Sequence, residues 1–195
     1  MRLTEFLNLP DELLDASLAG ELVVFAGAGV SMGAPARLPS FKGLAEQIGR
    51  LSHEAMPGAS EPLDVYLGRL EQSGVLAREW TRDILYRPRG HANPLHNSLI
   101  NIFGPVSPIR IVTTNFDLLF ERAVRAVGRA VEVFDAPALP LGDNFEGIVH
   151  LHGSFGKQDL SRLVLTDRDF GAAYITEGWA ARFLVRAFIK FKVGN

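Results

Sequence analysis

No cysteine occurs among the 195 residues. That excludes disulfides and every zinc site built on thiolates, and it fits a reducing compartment. Net charge is small as well: 20 Lys and Arg stand against 22 Asp and Glu, a formal net charge of −2. No long-range field is available to gather nucleic acid or an acidic membrane surface, and no block of like charges marks an interaction tail. Long apolar runs are also missing, none approaching the ~20 residues needed to cross a bilayer. The N-terminus, MRLTEFLNLPDELL, places Glu5, Asp11 and Glu12 where a signal peptide needs its apolar stretch. Its spacing reads instead as an amphipathic helix. The expectation is a cytoplasmic protein with neither membrane nor nucleic-acid contact.

What is present is the composition of one globular domain, 47% hydrophobic and 22% charged, long enough to bury a real core. Residues 10–19 have helical spacing, with Pro10 near the start and Gly20 past the end. A strand is expected at 21–26. Residues 40–51 read as a helix capped by Ser40, with Leu44, Ile48 and Leu51 on one stripe. From 52 to 104 strand signals vanish, and Leu63, Leu67, Leu70, Trp80, Ile84, Leu85, Leu95, Leu99 and Ile102 recur at helical intervals, which predicts an inserted helical subdomain. Strands return at 109–114, 130–134 and in GIVHLHG up to Gly153, separated by a helix in FDLLFERAV, and 176–191 closes the chain as a helix. Strand–helix alternation argues for an α/β fold, a Rossmann-like and mostly parallel sheet covered by helices on both faces. Its core would take about 20–51 and 105–195.

Three stretches stand out because each follows a strand, where open parallel sheets bind their ligands. The first, GAGVS at 27–31, lets the chain turn without a Cβ at Gly27 and Gly29, a cradle suited to a diphosphate. A glycine turn also serves simply to pack a helix tightly on a sheet. The ordinary dinucleotide fingerprint is incomplete: its third glycine is replaced by Met32, with Gly33 one place late, and no acid follows about twenty residues on at a strand end, Glu46 falling within a helix. Ordinary hydride transfer is therefore disfavoured. The second stretch, TTNFD at 113–117, offers Thr113, Thr114, Asn115 and Asp117, more polar groups than a helix cap needs. In the third, HLHGS at 150–154, His150 and His152 share a strand face. His152, beside Gly153 at the strand end, is the candidate for chemistry, and His150 reads as structural. No carboxylate adjoins the pair in sequence, so no metal site is expected.

With those stretches in register the chain resembles the sirtuin-like (silent information regulator) family of NAD-consuming proteins over about residues 20–175. GAGVS is similar to the family's Gly-Ala-Gly-Ile-Ser loop, TTNFD to its Thr-Gln-Asn-Ile-Asp motif, and HLHGS to the strand ending in its His-Gly. The resemblance implies that NAD, as substrate, lies between sheet and insertion. Gly27, Ala28, Gly29, Val30 and Ser31 would hold its phosphates and adjoining ribose, with Thr113, Thr114 and Gly153 beside it. Asn115, Asp117 and His152 would be the catalytic set. The family's four-cysteine zinc module cannot be built here, and its Asp-Phe-Arg element is absent. LPSFKGL at 38–44 looks instead like the Pro-x-aromatic-x-x-Leu pattern of zinc-free bacterial NAD hydrolases of antiviral defence. That implies an NAD glycohydrolase releasing nicotinamide and ADP-ribose, in a homo-oligomer or a larger defence assembly with a sensor domain or chain. A non-catalytic sensor of NAD or ADP-ribose, and a zinc-free deacylase or ADP-ribosyltransferase, are the alternatives. Family members follow the last helix with another strand, and the ending FIKFKVGN is expected to lack it.

Overall fold

The computed structural model describes residues 2–4, 7–8, 11–141, 145–190 and 192–194. At the N-terminus, where apolar spacing predicts a helix, β1 (Arg2–Thr4) and β2 (Leu7–Asn8) pair antiparallel, and the helix α1 spans only Asp11–Leu18. A helix continued through Pro10 would lose an amide it needs, so the sequence itself favours a start after that residue.

Among the described residues the main sheet has five strands, all parallel. β3 (Leu22–Ala26), β4 (Arg110–Thr113), β5 (Val133–Asp135), β6 (Gly147–His150) and β7 (Lys192–Gly194) lie in the order β5-β6-β4-β3-β7. Register is set by Val24 opposite Ile111 and by Thr113 opposite His150. Lys192–Gly194 pairs with Leu22–Val24, so the edge beside β3 carries a strand where FIKFKVGN reads as the end of a helix.

Strand side chains alternate between faces, and both faces are apolar, the pattern of a sheet buried on both sides. Leu22, Val24, Ile111 and Ile148 meet Ala16 of α1, Ile100 and Phe103 around α5 (Pro94–Asn101), and Phe120, Ala123 and Val124 of α6 (Leu119–Ala126). Val23, Val112 and Val149 face the other way, against Ala173 and against Ala180, Phe183 and Ala187 of α8 (Trp179–Lys190).

A second cluster joins α2 (Phe41–Ser52), α3 (Leu63–Gln72) and α4 (Ala77–Leu85). Leu44, Ile48, Tyr66, Leu67, Leu70 and Ala77 are buried there with Phe116 and Phe155 from the strand-end loops. Those two phenylalanines fasten the helices over the carboxyl ends of β4 and β6. Ser40 caps α2, its Oγ accepting from the Gly43 amide at 3.2 Å. α5 sits apart from these three helices, packing on α6 and the sheet.

Candidate functional site

β3, β4 and β6 are adjacent, and the loops leaving their carboxyl ends are the three stretches singled out by sequence. After β3 the chain makes a 3-10 turn, Ala28–Ser31. Val30 turns into the sheet core and pins the turn, while Gly27 and Gly29 stay exposed. Neither glycine answers an internal need. Gly27 has φ −112°, and neither residue has a positive φ. A Cβ at Gly29 would meet nothing within 4 Å, and one at Gly27 only the Thr114 hydroxyl at 3.6 Å, an ordinary contact. What the missing side chains leave open is the approach to the loop from outside.

Ser31, buried at the end of the turn, gathers the other elements. Its Oγ donates to Asp117 Oδ2 at 2.9 Å and accepts from Asn115 Nδ2 at 3.2 Å. The second oxygen of Asp117 accepts from the Leu119 amide at 3.1 Å, so this carboxylate both caps α6 and holds the glycine loop. With its amide nitrogen committed to Ser31, Asn115 has its carbonyl oxygen to offer the cleft. Thr113 works inside the backbone: its hydroxyl donates to the Ala26 carbonyl at 2.9 Å and accepts from the Asn115 amide at 3.1 Å.

His150 is fully buried. Its Nδ1 lies 2.9 Å from the Asn115 carbonyl and its Nε2 2.7 Å from Glu121 Oε1. Burial pushes its pKa down, but the hydrogen bond and charge of Glu121, the Asn115 carbonyl and Asp135 together hold it above the ordinary value. The ring therefore braces the Asn115 backbone from beneath the cleft. His152, one pleat on, is 8% exposed and lines the cleft. Burial alone lowers its pKa to about 4, so the imidazole is neutral at pH 7. Gly153 behind it has φ +83°, and a Cβ there would press the Arg162 carbonyl at 3.1 Å. Its glycine is required by the turn.

The cleft between loops and helices holds about 180 Å³. Ala28, Ser31, Thr114, Asn115, Asp117 and His152 line it, whereas Gly27, Gly29, Val30, Thr113 and Gly153 do not. Its apolar wall comes from Leu38, Pro39, Phe41, Leu44, Leu85, Phe116, Val164 and Phe170. Leu38 to Leu44 belong to the LPSFKGL stretch.

Two contributors escape sequence reasoning. His96 of α5 sets its Nε2 3.4 Å from Ser31 Oγ, while Asn93 Oδ1 lies 2.8 Å from its Nδ1; burial lowers its pKa against the opposing charges of Asp117 and Glu121. Asn93 Nδ2 in turn donates to the Val30 carbonyl at 2.6 Å. The other is Tyr174, whose hydroxyl is 2.8 Å from His152 Nε2. The only signal for His96 is the Asn-Pro cap three residues before it; for Tyr174 there is none. Among the described residues no three His, Asp or Glu side chains are grouped as a metal site, and no helix is long and apolar enough to cross a membrane.

The parallel α/β sheet is Rossmann-like, and the glycine loop, the asparagine and the histidine meet around one cleft at its central strand ends, where such sheets place their ligands. Residues 109–193 match the family model of the SIR2-like domain, so this part of the chain is similar to sirtuin-like proteins. The matched segment contains Asn115, Asp117 and His152; the glycine loop precedes it. SIR2-like domains use NAD as substrate, so the match points to an NAD-related activity. The chain is also 35% identical, over 91% of its length, to the uncharacterized protein y4cA of Sinorhizobium fredii (strain NBRC 101917 / NGR234), of which it spans 16%.

Proposed function

We propose that this domain is an NAD glycohydrolase. The observation that carries the reading is the pair Gly27 and Gly29, whose missing side chains neither backbone conformation nor packing demands, at the rim of the cleft lined by Asn115 and His152. A diphosphate lying on the glycine turn, near the amides of Ala28 and Gly29, directs the nicotinamide end inward, where Phe41, Leu44, Leu85 and Phe116 make an apolar seat for a flat ring.

The bond that breaks joins C1′ of the ribose to the pyridinium nitrogen. Nicotinamide leaves with the electron pair as a neutral base, so no acid is needed to expel it, and the sugar passes through an oxocarbenium-like state. Water adds at C1′ and gives up one proton, yielding nicotinamide, ADP-ribose and H⁺. Asn115 Oδ1 accepts a hydrogen from that water and orients it, and neutral His152 takes the released proton or holds a ribose hydroxyl. Asp117, with both oxygens engaged by Ser31 and Leu119, contributes negative potential behind the sugar and holds the glycine loop against the asparagine.

The LPSFKGL wall of the cleft supports placing this activity in NAD depletion during bacterial antiphage defence, in the cytoplasm and without metal. A chain that spans about one sixth of its relative suits a domain working inside a larger assembly, as a homo-oligomer or beside a sensor. Incubation with NAD and chromatography of the products tests the reaction: nicotinamide and ADP-ribose in equal amounts support it, and intact NAD under assembly conditions opposes it. The full engagement of Asp117 favours a second reading, a non-catalytic NAD or ADP-ribose sensor. Calorimetric binding with no turnover would single it out.

A further inference from the structure

Behind His152 lies a pair of aromatic rings that the reaction above does not use. α7 (Asp167–Gly171) runs directly into a π-helical turn, Ala172–Thr176, a local widening that often accompanies functional positions. Phe170 and Tyr174 project from this continuous segment with their rings nearly parallel, 6.1 Å apart at 16°. His152 stands edge-on to both, at 5.1 Å and 5.9 Å, each at 82°. The start of the segment is clamped: Asp169 Oδ2 accepts from the amides of Leu165 and Thr166 and from Arg78 of α4 at 2.6 Å. The aromatic wall is thus tied to the helices that cover the cleft.

Phe170 lines the cleft and Tyr174 does not, yet the Tyr174 hydroxyl is the group bonded to Nε2 of His152. Nε2 is therefore turned to the wall, and the nitrogen left for the cleft is Nδ1. In a neutral imidazole the partner of one nitrogen decides which nitrogen carries the proton and which keeps a lone pair.

We propose that Tyr174 is the positioning residue of the site: its oxygen accepts Nε2–H of His152, fixes the ring against Phe170, and leaves the Nδ1 lone pair free toward the cleft. The consequence for turnover rests on the hydrolase reading, and the ring geometry does not. Burial is what disfavours protonation of the imidazole. Asp117, the ionisable group sharing the cleft, is occupied by Ser31 and Leu119. Tyr174 itself is held as the neutral phenol, since burial pushes its pKa up.

Tyr174→Phe removes one oxygen and keeps the ring, and the ¹⁵N shifts of the His152 imidazole report which nitrogen is protonated. In the wild type at pH 7 Nε2 carries the proton; in Tyr174→Phe the two tautomers mix. kcat for nicotinamide release falls roughly tenfold while KM stays within about twofold, the loss typical of an outer-shell orienting group. Phe170→Leu, which removes the ring beside His152 but keeps the Tyr174 oxygen, lowers stability and leaves the tautomer unchanged, separating the hydrogen bond from the ring contact. A wild-type imidazole protonated at Nδ1, or identical ¹⁵N spectra for wild type and Tyr174→Phe, overturns the proposal. If the tautomer shift is seen while wild type releases no nicotinamide, the positioning role stands and the hydrolase reading falls.

Discussion

Ser31 and Asp117, 86 positions apart in the chain, share a buried hydrogen bond of 2.9 Å. It joins the loop after β3 to the loop after β4, and Asn115 adds its amide to the same serine oxygen. The candidate site thus depends on one hydroxyl placed between a carboxylate and an amide. Ser31→Ala leaves Asp117 Oδ2 buried without its donor and frees the Asn115 side chain to rotate. The expected cost is about 1–3 kcal/mol in urea unfolding, with kcat/KM for nicotinamide release lowered by about 10–100-fold. Unchanged kinetics in a folded variant would remove the serine from the account.

Gly29→Ala separates ligand approach from folding. Its Cβ enters open space and the backbone there is not left-handed, so unfolding free energy should move by no more than about 0.5 kcal/mol. NAD binding followed by calorimetry should nevertheless weaken at least about tenfold, because the methyl occupies the surface on which a diphosphate lies. Equal affinity for NAD in wild type and variant would argue that the glycine loop serves only the turn.

His152 gives stability and activity different pH limits. Its folded pKa is lowered to about 4, against roughly 6.5 in the unfolded chain. As pH falls through that window the unfolded state binds a proton that the folded state refuses, and stability drops. The loss is complete below about pH 4 and amounts to roughly 3 kcal/mol. His152→Gln removes it, so urea midpoints of wild type and variant should diverge between pH 7 and 4 in the variant's favour. Activity carried by neutral His152 should persist at pH 5, with its acid limb near 4.

His150 has the opposite sign. Its folded pKa is raised by Glu121 despite burial, so its contribution is fully present below the unfolded value near 6.5 and is lost as pH rises through the folded one. Glu121→Gln should destabilise by about 3 kcal/mol near pH 6, and the gap from wild type should shrink as pH rises through the folded value. A gap independent of pH would show that the pair contributes packing alone.

Much of this arrangement is legible in the sequence because it is local. Apolar runs such as LVVF at 22–25 mark strands buried on both faces, and glycine, asparagine and histidine at their ends mark one sheet rim. His150 reads as structural from the same local rules and is buried against Glu121, whereas Asp117, read from sequence as a ligand contact, also caps α6. The partners that sequence could not supply are those fixed by tertiary packing. His96 reaches Ser31 only because α5 packs on the sheet beside α6, and Tyr174 reaches His152 only through a π turn that no spacing rule announces. The strand Lys192–Gly194 is hidden differently: three residues after a helix show no period, and their pairing with Leu22–Val24 makes them a strand.

The most direct measurement is nicotinamide release from NAD by wild type and by Asn115→Ala, assembled and at matched thermal stability. The account predicts stoichiometric nicotinamide and ADP-ribose from wild type and a rate at least about 100-fold lower from the variant. Equal rates from the two proteins, or NAD bound in the cleft of wild type and never cleaved, would contradict it.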